Sequence, residues 1–134
     1  MDLKDKNLWG FKRLLRSFVY AWTGLKYVIR SEQNMRIHLI MSAVVIALAF
    51  ILNVPLTQKI ILLLVVGMVL SLEVMNTAIE RTVDMITEEY HPQAKVAKDI
   101  AAGAVFIFSI ISVLIGLAIF LPPIIELVSM ILGS

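Results

Sequence analysis

Residues 60–84 read IILLLVVGMVLSLEVMNTAIERTVD: thirteen residues without a charge, then two glutamates, an asparagine and an aspartate within the next twelve. As a helix the uncharged part covers only about 20 Å, short of a bilayer core of ~30 Å. A membrane span here must borrow length at both ends. Pro55 to Lys59 extend one end, with Lys59 reaching outward along its alkyl stem. The other end then holds Glu73 and Asn76 at or just inside the membrane boundary. At 100° per residue, Glu73, Asn76, Thr77, Glu80 and Asp84 fall at i, i+3, i+4, i+7 and i+11, on one narrow face. A helix that simply emerges into water carries charge all round. Sorted charge of this kind predicts a face turned into a protein-lined cavity, where ionisable groups are costly and usually functional.

The remainder of the chain supports a membrane setting. Of 134 residues, 60% are hydrophobic, well above the roughly 45–50% of soluble domains. The mean hydropathy is +0.91. The length suits a single domain spanning residues 1–134. Cysteine is absent, which excludes disulfides, thiolate metal sites and cysteine nucleophiles. His38 and His91 are too few and too far apart for a zinc site. Eight of the twelve Lys and Arg residues lie within positions 1–36. A basic leader suits nucleic acid or an anionic membrane surface; the apolar sequence behind it selects the membrane and argues against nucleic acid.

Apolar stretches at 37–52, 60–72 and 100–121 predict three transmembrane helices, over about 35–52, 56–86 and 95–121, with a tight turn at Asn53-Val54-Pro55. Pro122-Pro123 is expected to stop the third helix, leaving an apolar tail at 124–134. Basic residues crowd the N-terminal segment and the 81–98 loop (Arg81, Lys95, Lys98), whereas the other connections carry only Lys59. By the positive-inside rule the N-terminus and the 81–98 loop are cytoplasmic and the C-terminus lies outside. The first span lies too far along the chain, and lacks the flanks, for a cleaved signal peptide.

Before the spans, Leu8, Phe11, Leu15, Phe18, Trp22, Leu25 and Ile29 step by three and four, a continuous helical stripe over about 7–30. Lys12, Arg13, Arg16, Tyr20, Lys26, Tyr27 and Arg30 sit off it. Aromatic and aliphatic side chains on one face and cations on the other predict an amphipathic surface helix in the membrane interface.

The chemistry concentrates at one boundary. Two carboxylates one to two turns apart can hold a divalent cation, or one can act as base while the other binds metal. Mg²⁺ takes one or two carboxylates together with substrate phosphates, which raises a nucleotide as ligand. Lys98 and Asp99 lie where the third span begins, beside the small residues Ala101 to Ala104 that permit close helix contact. Glu32, the only acidic residue between positions 6 and 72, precedes the first span on the same side. Neither GxxxxGK[ST] nor GxGxxG occurs. A cation or proton pathway would also use ionisable residues, but it should continue through mid-membrane, where the first and third spans carry no charge. A non-catalytic scaffold leaves the sorting of the glutamates unexplained. Glu88 and Glu89, in TEEYHP, read as solvated loop charges.

EVMNTAIERTVD followed by HPQAKVAKDIAAGAV resembles the prokaryotic diacylglycerol kinase family of small trimeric membrane kinases. The resemblance covers nearly the whole chain, from GFKRLLRSFVYAWTGL through the glutamate before the first span to both motifs in order. It implies an all-α integral membrane fold: a surface helix plus three spans, in a homotrimeric bundle whose sites lie between subunits in the bacterial cell membrane. HPQAKVAKDIAAGAVFIFSIISVLIGLAIFLP looks like the Gram-positive branch, which phosphorylates undecaprenol in preference to diacylglycerol. Ala21 stands where the Gram-negative branch has serine, so no role of that serine carries over. The resemblance implies ATP as phosphoryl donor with Mg²⁺, Glu73 as general base and Asn76 as its orienting partner. It further implies Glu32 and Glu80 as metal carboxylates, Lys98 against the transferring phosphoryl group, and Arg13, Asp99 and Tyr20 in the nucleotide site. The acceptor is undecaprenol, with diacylglycerol as the alternative.

Overall fold

The computed structural model describes residues 10–87 and 89–133, so Leu8, the first residues of the 7–30 stripe and Glu88 lie outside the described residues. Among the described residues four helices follow one another: α1 (Phe11–Ser31), α2 (Gln33–Ile51), α3 (Leu56–Ile86) and α4 (Pro92–Leu132). They divide into two units, one ending at Gln33 and containing α1, the other running from Asn34 to the end of the chain.

In the first unit, α1 starts after Gly10, whose φ of 79° suits a residue without Cβ. It ends where Glu32 turns extended, its backbone N–H still donating to Val28 O at 2.9 Å. Phe11, Leu15, Phe18, Trp22, Leu25 and Ile29 are all exposed along it. Lys26 Nζ lies 5.4 Å from the Trp22 ring centroid, a cation–π contact one turn along the helix.

In the second unit, α2, α3 and α4 are each long and apolar enough to cross a bilayer. The α2–α3 connection is a Schellman motif. Asn53 takes the left-handed conformation (φ 48°), its N–H donates to Phe50 O at 3.1 Å, and the Val54 N–H donates to Ala49 O at 3.0 Å. Val54 and Ala49 are both buried, the apolar contact that accompanies this motif. Pro55 then starts α3. Lys59, in the first turn, sets its ammonium 4.5 Å from the Phe50 ring.

α3 packs along α4, and a core of Ala49, Val54, Leu62, Ile119 and Phe120 fastens the turn end of the unit, with Val45, Leu52 and Ile115 around it. Large apolar side chains elsewhere on the three helices point outward, among them Ile40, Leu63, Leu64, Phe106 and Ile107. That inside-out distribution suits lipid or further protein as surroundings.

Two sequence expectations give way. Only residues 87–91 link α3 to α4, because Pro92 sits at the first helical position and His91 caps it, with its Nδ1 accepting from the Gln93 N–H at 3.2 Å. Arg81, Lys95 and Lys98 therefore stand on helix ends and not in a loop. At the far end, α4 does not stop at Pro122-Pro123 but continues to Leu132. Proline removes the bond to the carbonyl four residues back, yet its fixed φ is helical. The residues beyond, IIELVSMIL, carry the helix on with their own backbone bonds.

Candidate active site

Seventeen residues into α3, about 26 Å from its start at 1.5 Å per residue, the helix turns polar. The face expected from spacing is buried at its deep end and emerges gradually. Glu73 is 2% exposed, Thr77 2% and Asn76 8%, Glu80 is half-buried and Asp84 exposed. Met75 and Ile79, on the other side of the helix, are exposed. The arrangement inverts that of a soluble amphipathic helix, as a membrane-facing exterior requires.

Local bonds fix this face. The Thr77 hydroxyl donates to Glu73 O at 3.0 Å. The Asn76 amide Nδ2 donates to Glu80 Oε1 at 2.9 Å, one turn along. Asn76 Oδ1 is buried and has no hydrogen-bond partner among the described residues. An unsatisfied buried acceptor costs about 1–3 kcal/mol, a cost that a donor-bearing ligand removes.

Glu73 and Asn76 line a pocket of about 270 Å³, completed by Asn34 and His38 from α2 and by Ala102, Val105, Phe106 and Ser109 from α4. Beyond it, an apolar cavity of about 490 Å³ runs between the same three helices, walled by residues such as Met41, Val45, Val66, Val69 and Leu117. His38 and Ser109 border both spaces.

The remaining expected site residues are distributed as follows. Lys98 Nζ donates to Asp84 Oδ1 at 2.5 Å, which ties α4 to α3 beside the polar face. Asp99 pairs with Lys95 one turn back on its own helix. Arg13, Tyr20 and Glu32 belong to the first unit. Glu32 Oε1 there accepts from the Ser31 hydroxyl at 3.1 Å, and the Arg13 carbonyl accepts from Ser17 Oγ at 3.0 Å. Nineteen positions separate Arg13 from Glu32, about 28 Å along a helix, too far for both to touch one phosphate group. Spacing alone did not find Asn34, His38 and Ser109 as pocket residues. The available signal was polar side chains at the start of, or within, otherwise apolar spans.

Among the described residues no cluster of three or more His, Asp or Glu side chains forms a metal cage. Half-buried Glu80, which accepts from the Asn76 amide one turn away, is a carboxylate of the kind that can join substrate phosphates around Mg²⁺.

Glu73 is buried one turn from Asn76, in a polar pocket that adjoins an apolar cavity, with Lys98 on the next helix beside the same polar face; this arrangement suits a membrane enzyme acting on a lipid. The sequence profile of prokaryotic diacylglycerol kinase matches residues 19–120, and the chain belongs to that family. It is 44% identical over 122 residues to an undecaprenol kinase of Bacillus subtilis, covering 91% of this chain and 98% of that protein. It is 40% identical to a diacylglycerol kinase of Synechocystis, covering 91% and 71% of the two chains. Against a diacylglycerol kinase of Escherichia coli K12 the identity is 32%, covering 81% and 88%. The chain is thus a lipid kinase, a transferase of lipid metabolism, with ATP as phosphoryl donor.

Proposed function

We propose that this chain phosphorylates undecaprenol, with Glu73 as the base. The carrying observation is Glu73 itself: a carboxylate at the polar end of a membrane helix, opening onto a pocket that continues into an apolar cavity. A membrane alcohol puts its hydroxyl at this depth. Glu73 takes the hydroxyl proton as the oxygen attacks the γ-phosphorus, and Asn76 orients the base and the phosphate. Glu80 and Glu32 are the carboxylates that would hold Mg²⁺, which would neutralise charge on the phosphates. Lys98 leaves Asp84 to meet charge on the transferring group, and Arg13, Tyr20 and Asp99 serve the nucleotide. Positioning and electrostatics supply most of the catalysis in phosphoryl transfer.

The 28 Å between Arg13 and Glu32 on one helix favours a site assembled from more than one chain, and the assembly we propose is a homotrimer in the cell membrane. α1 lies in the interface with its aromatic stripe toward lipid. The N-terminus and the 87–91 connection face the cytoplasm, the end of α4 the outside. The similarity to an undecaprenol kinase over 98% of that protein's length supports undecaprenol as acceptor. The apolar cavity also suits diacylglycerol, the second reading. The test is Mg²⁺-dependent transfer from ATP to undecaprenol and to diacylglycerol, measured side by side in mixed micelles. Preference for diacylglycerol reverses the choice of acceptor, and transfer to neither removes the reading.

A further inference from the structure

His38 and Ser109 are the two side chains that border both the polar pocket and the apolar cavity. They come from different helices, α2 and α4, and both are half-buried. Serines in apolar helices commonly turn their hydroxyls back onto the carbonyl four residues earlier. Ser42 does so onto His38 O at 2.6 Å and Ser112 onto Phe108 O at 2.7 Å. Ser109 makes no such bond among the described residues. Polar groups at a lipid-filled depth are costly and are kept for a ligand or a pathway. Glu73, Asn76 and Asn34 line the polar pocket on one side of these two residues and do not line the apolar cavity. The cavity on the other side of this joint is mostly apolar, with Ser42 and Ser112 as its other polar side chains, and both of these turn their hydroxyls onto their own helix.

We infer that His38 and Ser109 form a threshold that seats the hydroxyl oxygen of the lipid alcohol, so that the near end of its tail lies in the cavity of about 490 Å³ and the hydroxyl proton faces Glu73. The inference rests on the lipid-kinase site proposed above and adds two positioning residues to it. In the bound state a ring N–H of His38 and the Ser109 hydroxyl donate to the two lone pairs of the alcohol oxygen, and the Ser109 hydroxyl turns away as the lone pair it held meets the phosphorus. The O–H bond breaks toward the Glu73 carboxylate and the oxygen forms its new bond to the γ-phosphorus. The bond from that phosphorus to the bridging oxygen breaks, and ADP leaves with the electron pair. His38 ends the step with the protons it began with. The joint also explains why the two cavities differ so sharply in character: one receives a reacting head, the other an inert chain.

The test is steady-state kinetics of the full chain in mixed micelles with undecaprenol and, separately, farnesol as acceptors. Loss of one neutral hydrogen bond predicts that His38→Ala and Ser109→Ala each raise the KM for the alcohol roughly five- to tenfold. The KM for ATP should not change. His38→Gln, which restores an N–H donor of similar reach, should recover most of the loss. Because Gln and Ala perturb packing differently, rescue separates a hydrogen-bonding role from a structural one. An unchanged KM for the alcohol in both alanine variants, or an equal rise in the KM for ATP, overturns the threshold while leaving the kinase intact. A wild-type protein that phosphorylates neither alcohol nor diacylglycerol overturns the functional reading, and the threshold with it.

Discussion

Lys98 on α4 donates to Asp84 on α3 at 2.5 Å, in the exposed region where the polar face of α3 reaches the surface. Both side chains are well solvated, 37% and 47% exposed, so the pair contributes at most about 1 kcal/mol to stability. Asp84→Asn should therefore leave thermal unfolding in detergent nearly unchanged. Lys98→Ala should cut kcat/KM by about 10²-fold or more if the ammonium meets the phosphoryl group in the transition state. Equal small losses from both would make the pair a simple clasp.

Glu73→Gln keeps the shape of the buried side chain and removes the proposed base. Turnover should fall by about 10²–10⁴-fold with the elution volume on size-exclusion chromatography unchanged. Near-normal activity would exclude Glu73 as proton acceptor.

Glu80→Ala removes a carboxylate and strands the Asn76 amide that donates to it. Glu32→Ala removes the other proposed ligand. Each should raise the Mg²⁺ concentration needed for half-maximal rate. Titrations that overlay the wild type would take both residues out of the metal site.

Leu62 and Leu63 are neighbours with opposite surroundings, 2% and 62% exposed. Leu62→Ala opens the core at the α2–α3 turn and should cost about 2–5 kcal/mol. Leu63→Ala should cost far less and leave the kinetics alone. Similar Tm losses would mean that Leu63 is covered by protein in the assembled enzyme.

The clustering of Glu73, Asn76, Thr77 and Glu80 was legible from the sequence because helical spacing is local: any α-helix through 73–84 puts these side chains on one face. The three spans were legible for the same reason, from run length. The course of α4 past Pro122-Pro123 was not. Proline's cost in water is a poor guide where the chain has no solvent for its backbone. Nor was the partner of Lys98, since Asp84 lies fourteen residues away and is joined to it only by the packing of α3 on α4. His38 read as an isolated histidine until α2 and α4 placed it across a cavity from Ser109.

The Asn53 turn has a consequence for how this end of the protein meets the membrane. Its amides at 53 and 54 close back onto Phe50 and Ala49, so the reversal between α2 and α3 asks little of water. A connection that settles its own backbone bonds carries a smaller desolvation cost through hydrocarbon than an open loop of equal length. The turn itself therefore adds little to the cost of holding this end of the hairpin near hydrocarbon, and Lys59, whose ammonium lies 4.5 Å from the Phe50 ring centroid, has a stem long enough to carry its charge outward.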